Sequence, residues 1–452
     1  MRVLSALMFF PRGGSAHVAR ALARELPAHG CDVTVVSGSL PGLGDAERFY
    51  EGCDVHAVRF DRGGAPMHPS YEDRADAPDR VFAALDDEAY EAHVAAWSRA
   101  LEEAGAPDAD VLHLHHLTPI HEAAARVAPD IPVVGHLHGT ELLMLERIAE
   151  GPRAAWDHAE AWERRMRRWA LRCERLLLLS HSQLERAERL LGIDPRRCVI
   201  APNGFDPERF SPRDVDRDAF WRHALVDDPH GWRPGRDEGS VAYRPEEAAT
   251  VASGPVLLSA SRFTEVKRLG LLVRAFARTR EALRDSGRSA SLVLLGGYPG
   301  EWEGEHPYDA IRATGARDVY LAGWHEHDEL PDFFAASDVV VLSSVREQFG
   351  SALVEGMACG LPAVAVDRFG PADIVRPGHT GWLVEPDDEA ALAGALAQAI
   401  DHPEESRRRG AAARRDVMLR FAWPALADRL CSLFAEVVET AADDDPAVAA
   451  SR

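Results

Sequence analysis

The pattern of apolar and polar positions predicts strands and helices in alternation, in two separate series. The first series of short apolar runs comprises "RVLSALMFF" (2–10), "CDVTVVSG" (31–38), "DVLHLHHL" (110–117), "IPVVGHLHG" (131–139), "RLLLLSHS" (175–182) and "CVIAPNG" (198–204). After a polar stretch the pattern restarts with "PVLLSAS" (255–261), "SLVLLGG" (291–297), "DVYLAGW" (318–324), "DVVVLSS" (338–344), "LPAVAVD" (361–367) and "GWLVEP" (381–386). Nearly continuous apolar runs separated by helical periodicity are typical of parallel strands buried on both faces. We therefore predict two doubly wound α/β domains.

Composition gives the domain boundaries. Residues 211–253 are rich in Pro, Gly, Asp and Arg, and they separate a first domain at 1–210 from a second at 254–420. We interpret 211–253 as an interdomain linker or insertion on the surface, with a flap over the cleft between the domains as the alternative. Residues 421–438 predict an amphipathic helix, and residues 440–452 predict a flexible tail.

Charge and cysteine usage narrow the classes of function. The formal charge of −22 disfavours nucleic-acid partners and anionic membranes. The six cysteines are far apart and include no CxxC pair, which indicates neither a disulfide framework nor a zinc site. No apolar stretch reaches the roughly 18 residues of a membrane span, and the first ten residues predict a buried strand rather than a signal peptide. We expect a cytoplasmic protein.

Two glutamates follow a predicted strand of the second domain. Glu347 lies in the loop that leaves "DVVVLSS", and Gly350 is predicted to open a helix that continues to about residue 358. Free N–H groups at such a helix start attract phosphates or sugar hydroxyls, and glycine lets a ligand approach the backbone. Glu355 is placed about a turn and a half into the helix, where its carboxylate can bind a diol such as a ribose. The alternative is a solvated glutamate that the helix dipole favours.

Two cations follow the first strand of the same domain. Arg262 and Lys267 lie five residues apart in the loop after "PVLLSAS". Lys267 is the only lysine among the 51 Lys and Arg residues of the chain. An ammonium is a compact point charge, whereas a guanidinium is a planar fork, so the exception is either a codon accident or a steric requirement. Because ligands bind beyond the carboxyl ends of parallel strands, we predict a diphosphate site near Glu347.

The first half of the chain offers two weaker sets of residues. Gly13 and Gly14 lie between a strand and a helix without forming GxGxxG, so they are either a plain turn or a close approach to a phosphate. His136 and His138 share a strand face, but no third zinc ligand is evident from the spacing, and we predict no metal site. His138, at the strand's end, is the better candidate for a ligand contact. The run "HLHH" at 113–116 is interpreted as structural.

Taken together, these segments resemble the retaining glycosyltransferases of family four over most of the chain. The resemblance is carried by "APNGFD" (201–206), "SRFTEVKR" (261–268), "ELPDFFAASDVVVLSS" (329–344), "EQFGSALVE" (347–355) and "GHTGWLVEPDD" (378–388). It implies the GT-B fold, in which two Rossmann-like domains face a cleft and a C-terminal helix crosses back to the first domain. It also implies that the second domain binds a nucleotide-sugar donor.

The resemblance further implies a role for each candidate residue. Arg262 and Lys267 would neutralise the diphosphate leaving group, Glu355 would bind the ribose, and Glu347 would bind the sugar hydroxyls near C3 and C4. His138 would lie beside the C6 hydroxyl and the anomeric carbon. The remaining donor contacts would come from the backbone at Gly13, Gly14, Phe349, Gly350 and Ser351. The family needs no divalent metal and no other cofactor, since cations and amides replace the metal.

The expected reaction is the retaining transfer of a sugar from a nucleotide diphosphate sugar, UDP rather than GDP, to a small polar acceptor. The expected acceptor is a cyclitol, an aminocyclitol or a sugar-like metabolite. The expected mechanism is front-face displacement, and Glu347 as a covalent nucleophile is the alternative. The competing functions are transfer to a lipid-linked or polysaccharide acceptor, a nucleotide-sugar 2-epimerase, a phosphorylase and a non-catalytic sensor of sugar nucleotides. Pro371 and Asp373 depart from the family pattern of a Gly-rich turn and a glutamate.

Overall fold

The computed structural model describes residues 1–11, 13–61, 63–71, 80–283 and 288–443. The chain forms two compact units. The first contains Met1–Asn203 and the chain from Trp423 onward, and the second contains Gly204–Ala422. Each unit has its own parallel sheet, as the apolar pattern predicts.

The sheet of the first unit has seven strands within the described ranges. They are β1 Arg2–Leu7, β2 Asp32–Ser39, β3 Asp54–Arg59, β4 Val111–His115, β5 Val133–His136, β6 Arg175–Leu178 and β7 Cys198–Ile200. Their order is β3-β2-β1-β4-β5-β6-β7, and every pairing is parallel. The order reverses direction between β1 and β4, so the carboxyl ends of these two strands flank the crevice where a doubly wound sheet binds ligands.

The sheet of the second unit has six strands in the part of the chain that the structure describes. They are β8 Val256–Ala260, β9 Ser291–Leu295, β10 Val319–Gly323, β11 Val339–Leu342, β12 Ala363–Val366 and β13 Gly381–Val384. Their order is β10-β9-β8-β11-β12-β13, again with parallel pairing throughout. Here the order reverses between β8 and β11, the strands that precede Lys267 and Glu347.

Helices cover both sheets. In the first unit they are α1 Gly14–Glu25, α2 Ala46–Phe49, α3 Asp87–Glu103, α4 Ile120–Val127, α5 Thr140–Glu150, α6 Ala159–Arg172 and α7 Ser182–Leu191. In the second they are α8 Arg217–Arg222, α9 Pro245–Ser253, α10 Leu269–Ala282, α11 Pro307–Thr314, α12 Leu330–Ala335, α13 Ser351–Ala358, α14 Gly370–Ile374, α15 Glu389–Asp401 and α16 Pro403–Phe421. None of the helices among the described residues is long and apolar enough to cross a bilayer.

Residues 211–253 differ from the linker that the composition predicts. They belong to the second unit, and they contribute α8 and α9 to it. Trp221 and Trp232 are fully buried, and their indole N–H groups donate to the carbonyls of Ala336 and Gly297 at 3.3 and 2.8 Å. Two buried tryptophans supply a large apolar area, which offsets the polarity of the rest of the segment.

The last helix, α17 Trp423–Asp443, returns to the first unit. Its residues Leu430 and Phe434 pack in one apolar cluster with Val18 and Leu22 of α1. The helix continues past the predicted end at 438, so residues 440–443 are helical rather than part of a flexible tail. Residues 444–452 of the predicted tail lie outside the described residues.

Candidate active site

Lys267 and Glu347 form an ion pair at the carboxyl edge of the second sheet. Lys267 Nζ donates to Glu347 Oε2, and the two side chains are 18% and 19% exposed. The pair joins the loop after β8 to the loop after β11, where the strand order reverses. The two residues thus lie close together, as the sequence predicts. Both side chains are largely shielded from water, and among the described residues each has the other as its only ion-pair partner, so an anionic ligand can compete for the ammonium.

Serine side chains at the end of β11 fix the loop that carries Lys267. Ser343 Oγ donates to the Lys267 carbonyl at 2.7 Å, and Ser344 Oγ donates to the Val266 carbonyl at 3.2 Å. The Val345 N–H donates to the same Val266 carbonyl at 2.9 Å. Residues Glu265–Lys267 therefore form one rigid 3₁₀ turn that sets the height of the lysine above the sheet.

Arg262 lies in the same loop and faces solvent. Its side chain is exposed and makes no ion pair or hydrogen bond with any residue in the described ranges. An exposed guanidinium with no local partner remains available to a ligand. The structure thus places both predicted cations on one loop, one paired and partly buried, the other unpaired and exposed.

Helix α13 begins where the sequence predicts. Gly350 is its N-cap, with φ of 114°, and Ser351 is its first residue. The first N–H groups of a helix have no acceptor within the helix, so they point outward from the loop of Glu347. The loop after β12 holds the loop of Glu347 in place, since the Gly370 N–H donates to the Glu347 carbonyl at 3.0 Å. A Cβ at Gly370 would lie 2.1 Å from the Phe349 carbonyl oxygen, so only glycine permits this contact.

Glu355 has a partner that the sequence pattern did not reveal. Its side chain is only 10% exposed, and its Oε1 lies 2.9 Å from Nε2 of His327, which is 54% exposed. His327 follows β10 and contacts the ring of Phe210. A carboxylate this buried with one exposed partner can exchange that partner for ligand hydroxyls. The sequence did contain one sign of this partner, because "WHEHDEL" (324–330), which includes His327, follows a predicted strand.

Gly13 and Gly14 lie in the first unit at the start of α1. Gly13 is the N-cap, with extended backbone, and a Cβ at either position would meet nothing within 4 Å. Neither packing nor backbone conformation therefore requires glycine here. The open space is what an approaching ligand needs, and the part of the loop at residue 12 lies outside the described residues.

His138 lies two residues beyond β5 and is half-buried. Its Nε2 is 3.0 Å from His115 Nδ1, and its backbone N–H donates to the Glu141 carboxylate at 3.2 Å. Burial lowers the pKa of His138 well below its usual value. The imidazole is therefore neutral at pH 7, and the bond to His115 leaves its Nδ1 for a ligand.

Family comparisons agree with this architecture. The model described as Glycosyltransferase Family 4 matches residues 12–209, and that of Glycosyl transferases group 1 matches residues 245–416. A D-inositol 3-phosphate glycosyltransferase of Stackebrandtia nassauensis is 30% identical over 339 residues, which are 73% of this chain and 69% of the relative. The chain belongs to glycosyltransferase family 4.

A more distant relative and two solved structures match over 90% or more of the chain. The N-acetyl-alpha-D-glucosaminyl L-malate synthase of Bacillus anthracis is 24% identical and covers 90% of each chain. HepE of Anabaena, solved with UDP and glucose, has a TM-score of 0.65 at 17% identity, over 96% of this chain and 99% of HepE. Sucrose-phosphate synthase of Thermosynechococcus elongatus has the same TM-score at 18% identity, over 97% and 99%. The glycosyltransferase has the GT-B fold.

Gly350 provides a test of the helix start in this glycosyltransferase. Replacing Gly350 with Ala keeps a positive φ that L-residues rarely adopt, although its Cβ would make only ordinary contacts, the nearest with Ile374 Cδ1 at 3.4 Å. We expect Gly350→Ala to lower the free energy of unfolding by about 1–2 kcal/mol. Urea denaturation checks this. Gly394→Ala, within α15 and with open space around its Cβ, should leave stability unchanged or raise it; an equal loss in both variants would contradict the strain assigned to Gly350.

Proposed function

We propose that this glycosyltransferase moves a sugar, with retention of configuration, from a nucleotide diphosphate sugar to a hydroxyl of a small polar acceptor. A UDP-sugar is the favoured donor, and a cyclitol, an aminocyclitol or a sugar-like metabolite is the favoured acceptor. The observation that carries the proposal is the Lys267–Glu347 ion pair at the strand-order reversal of the second sheet.

The diphosphate is assigned to Lys267 and Arg262. An incoming phosphate displaces Glu347 from the lysine ammonium, so that the ammonium is paired with a negative charge before and after the donor binds. The exposed Arg262 guanidinium adds a bidentate contact from the same loop. The N–H groups of Phe349, Gly350 and Ser351 supply further donors without any metal. Because these groups are preorganised, they stabilise the charge that develops on the leaving diphosphate.

The two glutamates divide the rest of the donor. Glu347, once released by Lys267, accepts hydrogen bonds from the sugar hydroxyls. Glu355 exchanges His327 for the two ribose hydroxyls, which one carboxylate can accept together. The contacts of Gly13, Gly14 and His138 with the donor are part of the proposal and rest on the family resemblance.

The transfer proceeds at one face of the sugar. The bond from the anomeric carbon to the β-phosphate oxygen breaks as the bond from the acceptor oxygen forms on the same side. The acceptor proton passes to the departing phosphate oxygen, and Lys267 and Arg262 stabilise the remaining negative charge. No divalent cation is required, and a chelator such as EDTA should leave the rate of transfer unchanged.

The nature of the acceptor rests on the relatives. One acts on D-inositol 3-phosphate and another makes an L-malate conjugate, according to their names. Both acceptors are small, polar and anionic. We propose a small acceptor of this class and a cytoplasmic enzyme, rather than transfer to a lipid-linked or polysaccharide acceptor.

The proposal is tested by incubating the enzyme with UDP-, GDP- and dTDP-sugars, each with myo-inositol, D-inositol 3-phosphate or L-malate. Mass spectrometry detects the conjugate, and the anomeric coupling constant in its NMR spectrum reports the configuration. A product with the donor's anomeric configuration supports the proposal. Epimerisation of the donor without acceptor, dependence on free phosphate, or binding without any turnover would each replace it with one of the competing functions.

Arg262 gives a prediction specific to the diphosphate. Arg262→Ala should lower kcat/KM by about tenfold, since one of two cations on the leaving group is lost. The free energy of unfolding should stay within about 0.5 kcal/mol of wild type, because the side chain is exposed and unpaired. Arg233→Ala, a surface control in the same unit, should change neither quantity, and unchanged kinetics in Arg262→Ala would remove this residue from the site.

A further inference from the structure

The first unit buries a cluster of histidines that the proposed transfer does not use, apart from His138. His113 and His115 lie on one face of β4, and His136 lies on the adjacent strand β5, in register with His115. The three side chains are 0%, 1% and 3% exposed. A strand pair holds them rigidly, because alternate residues share a face and the register fixes their neighbours.

The ring nitrogens of these histidines converge. One ring nitrogen from each lies within 4.8 Å of those of the other two, and His113 Nε2 is only 3.1 Å from His136 Nδ1. Two nitrogen ligands of a tetrahedral zinc ion are about 3.3 Å apart, given bonds of about 2.0 Å. The nitrogens of His113 and His136 are thus already close to the separation that zinc requires, and His115 offers a third nitrogen within 4.8 Å of both.

We propose that His113, His115 and His136 bind one divalent transition-metal ion of the zinc class. Imidazole nitrogen is a preferred ligand of Zn²⁺, Co²⁺ and Cu²⁺, whereas Mg²⁺ and Ca²⁺ prefer oxygen. The sequence pattern predicts no metal site because the spacing along "HLHG" shows only two ligands. His113 and His115 come from the preceding strand, and the sheet register brings them beside His136.

The hydrogen bond between two of the rings must rearrange when an ion binds. His113 Nε2 and His136 Nδ1, 3.1 Å apart, share one proton, so only one of these nitrogens offers its lone pair to an ion. The other nitrogen of each ring, His113 Nδ1 or His136 Nε2, is buried and has no hydrogen-bond partner among the described residues. Moving the shared proton to one of these atoms leaves both facing nitrogens available to the ion without any change in net charge.

The surroundings supply an outer partner and room for a fourth ligand. Ser5 Oγ lies 3.2 Å from His115 Nε2 and orients that ring, as outer hydroxyls do in known metal sites, so His115 Nδ1 would exchange its contact with His138 for the ion. His136 lines a cavity of about 100 Å³ whose other walls include Val18, Leu177 and Leu430. The cavity has room for a water molecule as a fourth ligand.

The metal itself is the probe in the first test. The full-length chain, free of any affinity tag and stripped with a chelator, is titrated with Co²⁺. One equivalent should give the strong visible bands of four-coordinate Co²⁺, which one equivalent of Zn²⁺ should abolish. Zn²⁺ should also raise the melting temperature, because an ion that binds only the folded state stabilises it. If the wild-type protein gives only the weak visible absorption of six-coordinate Co²⁺, the proposal is overturned.

Variants locate the site. His113→Phe and His136→Gln should each weaken Co²⁺ binding by about tenfold or more. His93→Phe is the matched control, since His93 is equally buried, has its pKa lowered to about 4, and lies on α3 outside the cluster. Unchanged binding in both cluster variants would overturn the assignment. If those variants fail to fold, X-ray absorption of the zinc-loaded wild type decides, since a shell without imidazole nitrogens would equally overturn it.

Discussion

Lys267→Arg should lower kcat by about 10- to 100-fold even though the charge is kept. The lysine ammonium is partly buried and pairs with Glu347, and Ser343 fixes the backbone of the loop that carries the lysine. A guanidinium is longer and planar, so it cannot occupy the same position without moving that loop, and the stabilisation of the leaving diphosphate is lost. The free energy of unfolding should change by less than about 1 kcal/mol, since partly exposed ion pairs contribute little.

The control for this prediction is the reverse exchange at a site remote from the chemistry. Arg409 pairs with Glu405 and donates to the Gly381 carbonyl at the amino end of β13, whereas the candidate site lies at carboxyl ends. Arg409→Lys should cost stability without affecting kcat. Steady-state kinetics and urea denaturation of both variants measure the two quantities separately. Wild-type turnover in Lys267→Arg would make the lone lysine a codon accident.

Glu347→Gln should lower kcat by about 100-fold, although the two side chains have nearly the same size and shape. The substitution removes the negative charge that holds Lys267 before the donor arrives and that accepts the sugar hydroxyls afterwards. Hydrogen bonds to a carboxylate are about twice as strong as those to a neutral amide, and they matter most where the anomeric charge develops. Single-turnover kinetics at saturating donor separate this effect from donor affinity.

Glu405→Gln is the matched control for the glutamate. Glu405 also accepts from cationic side chains, Arg408 and Arg409, and those contacts lower its pKa to about 2. Losing that charge should affect stability alone. Full activity in Glu347→Gln would remove this carboxylate from the site, and a glycosyl-enzyme adduct on Glu347 of the wild type would contradict the front-face mechanism.

Most of the fold follows from the apolar pattern, because buried parallel strands are short and almost wholly apolar. Of the thirteen strands in the described ranges, twelve coincide with runs read from the sequence, and the exception is β3, Asp54–Arg59. It is an edge strand with mostly half-exposed residues, so its apolar signal is weak. Residues 211–253 mislead for the opposite reason, since two buried tryptophans outweigh many polar neighbours.

The candidate site is predictable only in part. Lys267, Glu347 and Glu355 follow strands, and the rule that ligands bind at carboxyl ends locates them from the sequence alone. The partners are not predictable in this way, because His327 lies 28 residues from Glu355 and meets it through packing of separate elements. Likewise, the contact of His113 with His136 depends on the sheet register, which no local pattern reveals.

The assignment of Lys267 and Glu355 to one donor site is tested most directly by the binding of UDP. Isothermal titration of UDP into wild type, Lys267→Ala, Glu355→Gln and the control Arg409→Lys compares the four proteins at fixed salt. We expect saturable 1:1 binding by wild type and the control, and affinities at least about tenfold weaker for the two site variants. Equal affinities in all four proteins, or no binding of UDP by wild type, would contradict the assignment.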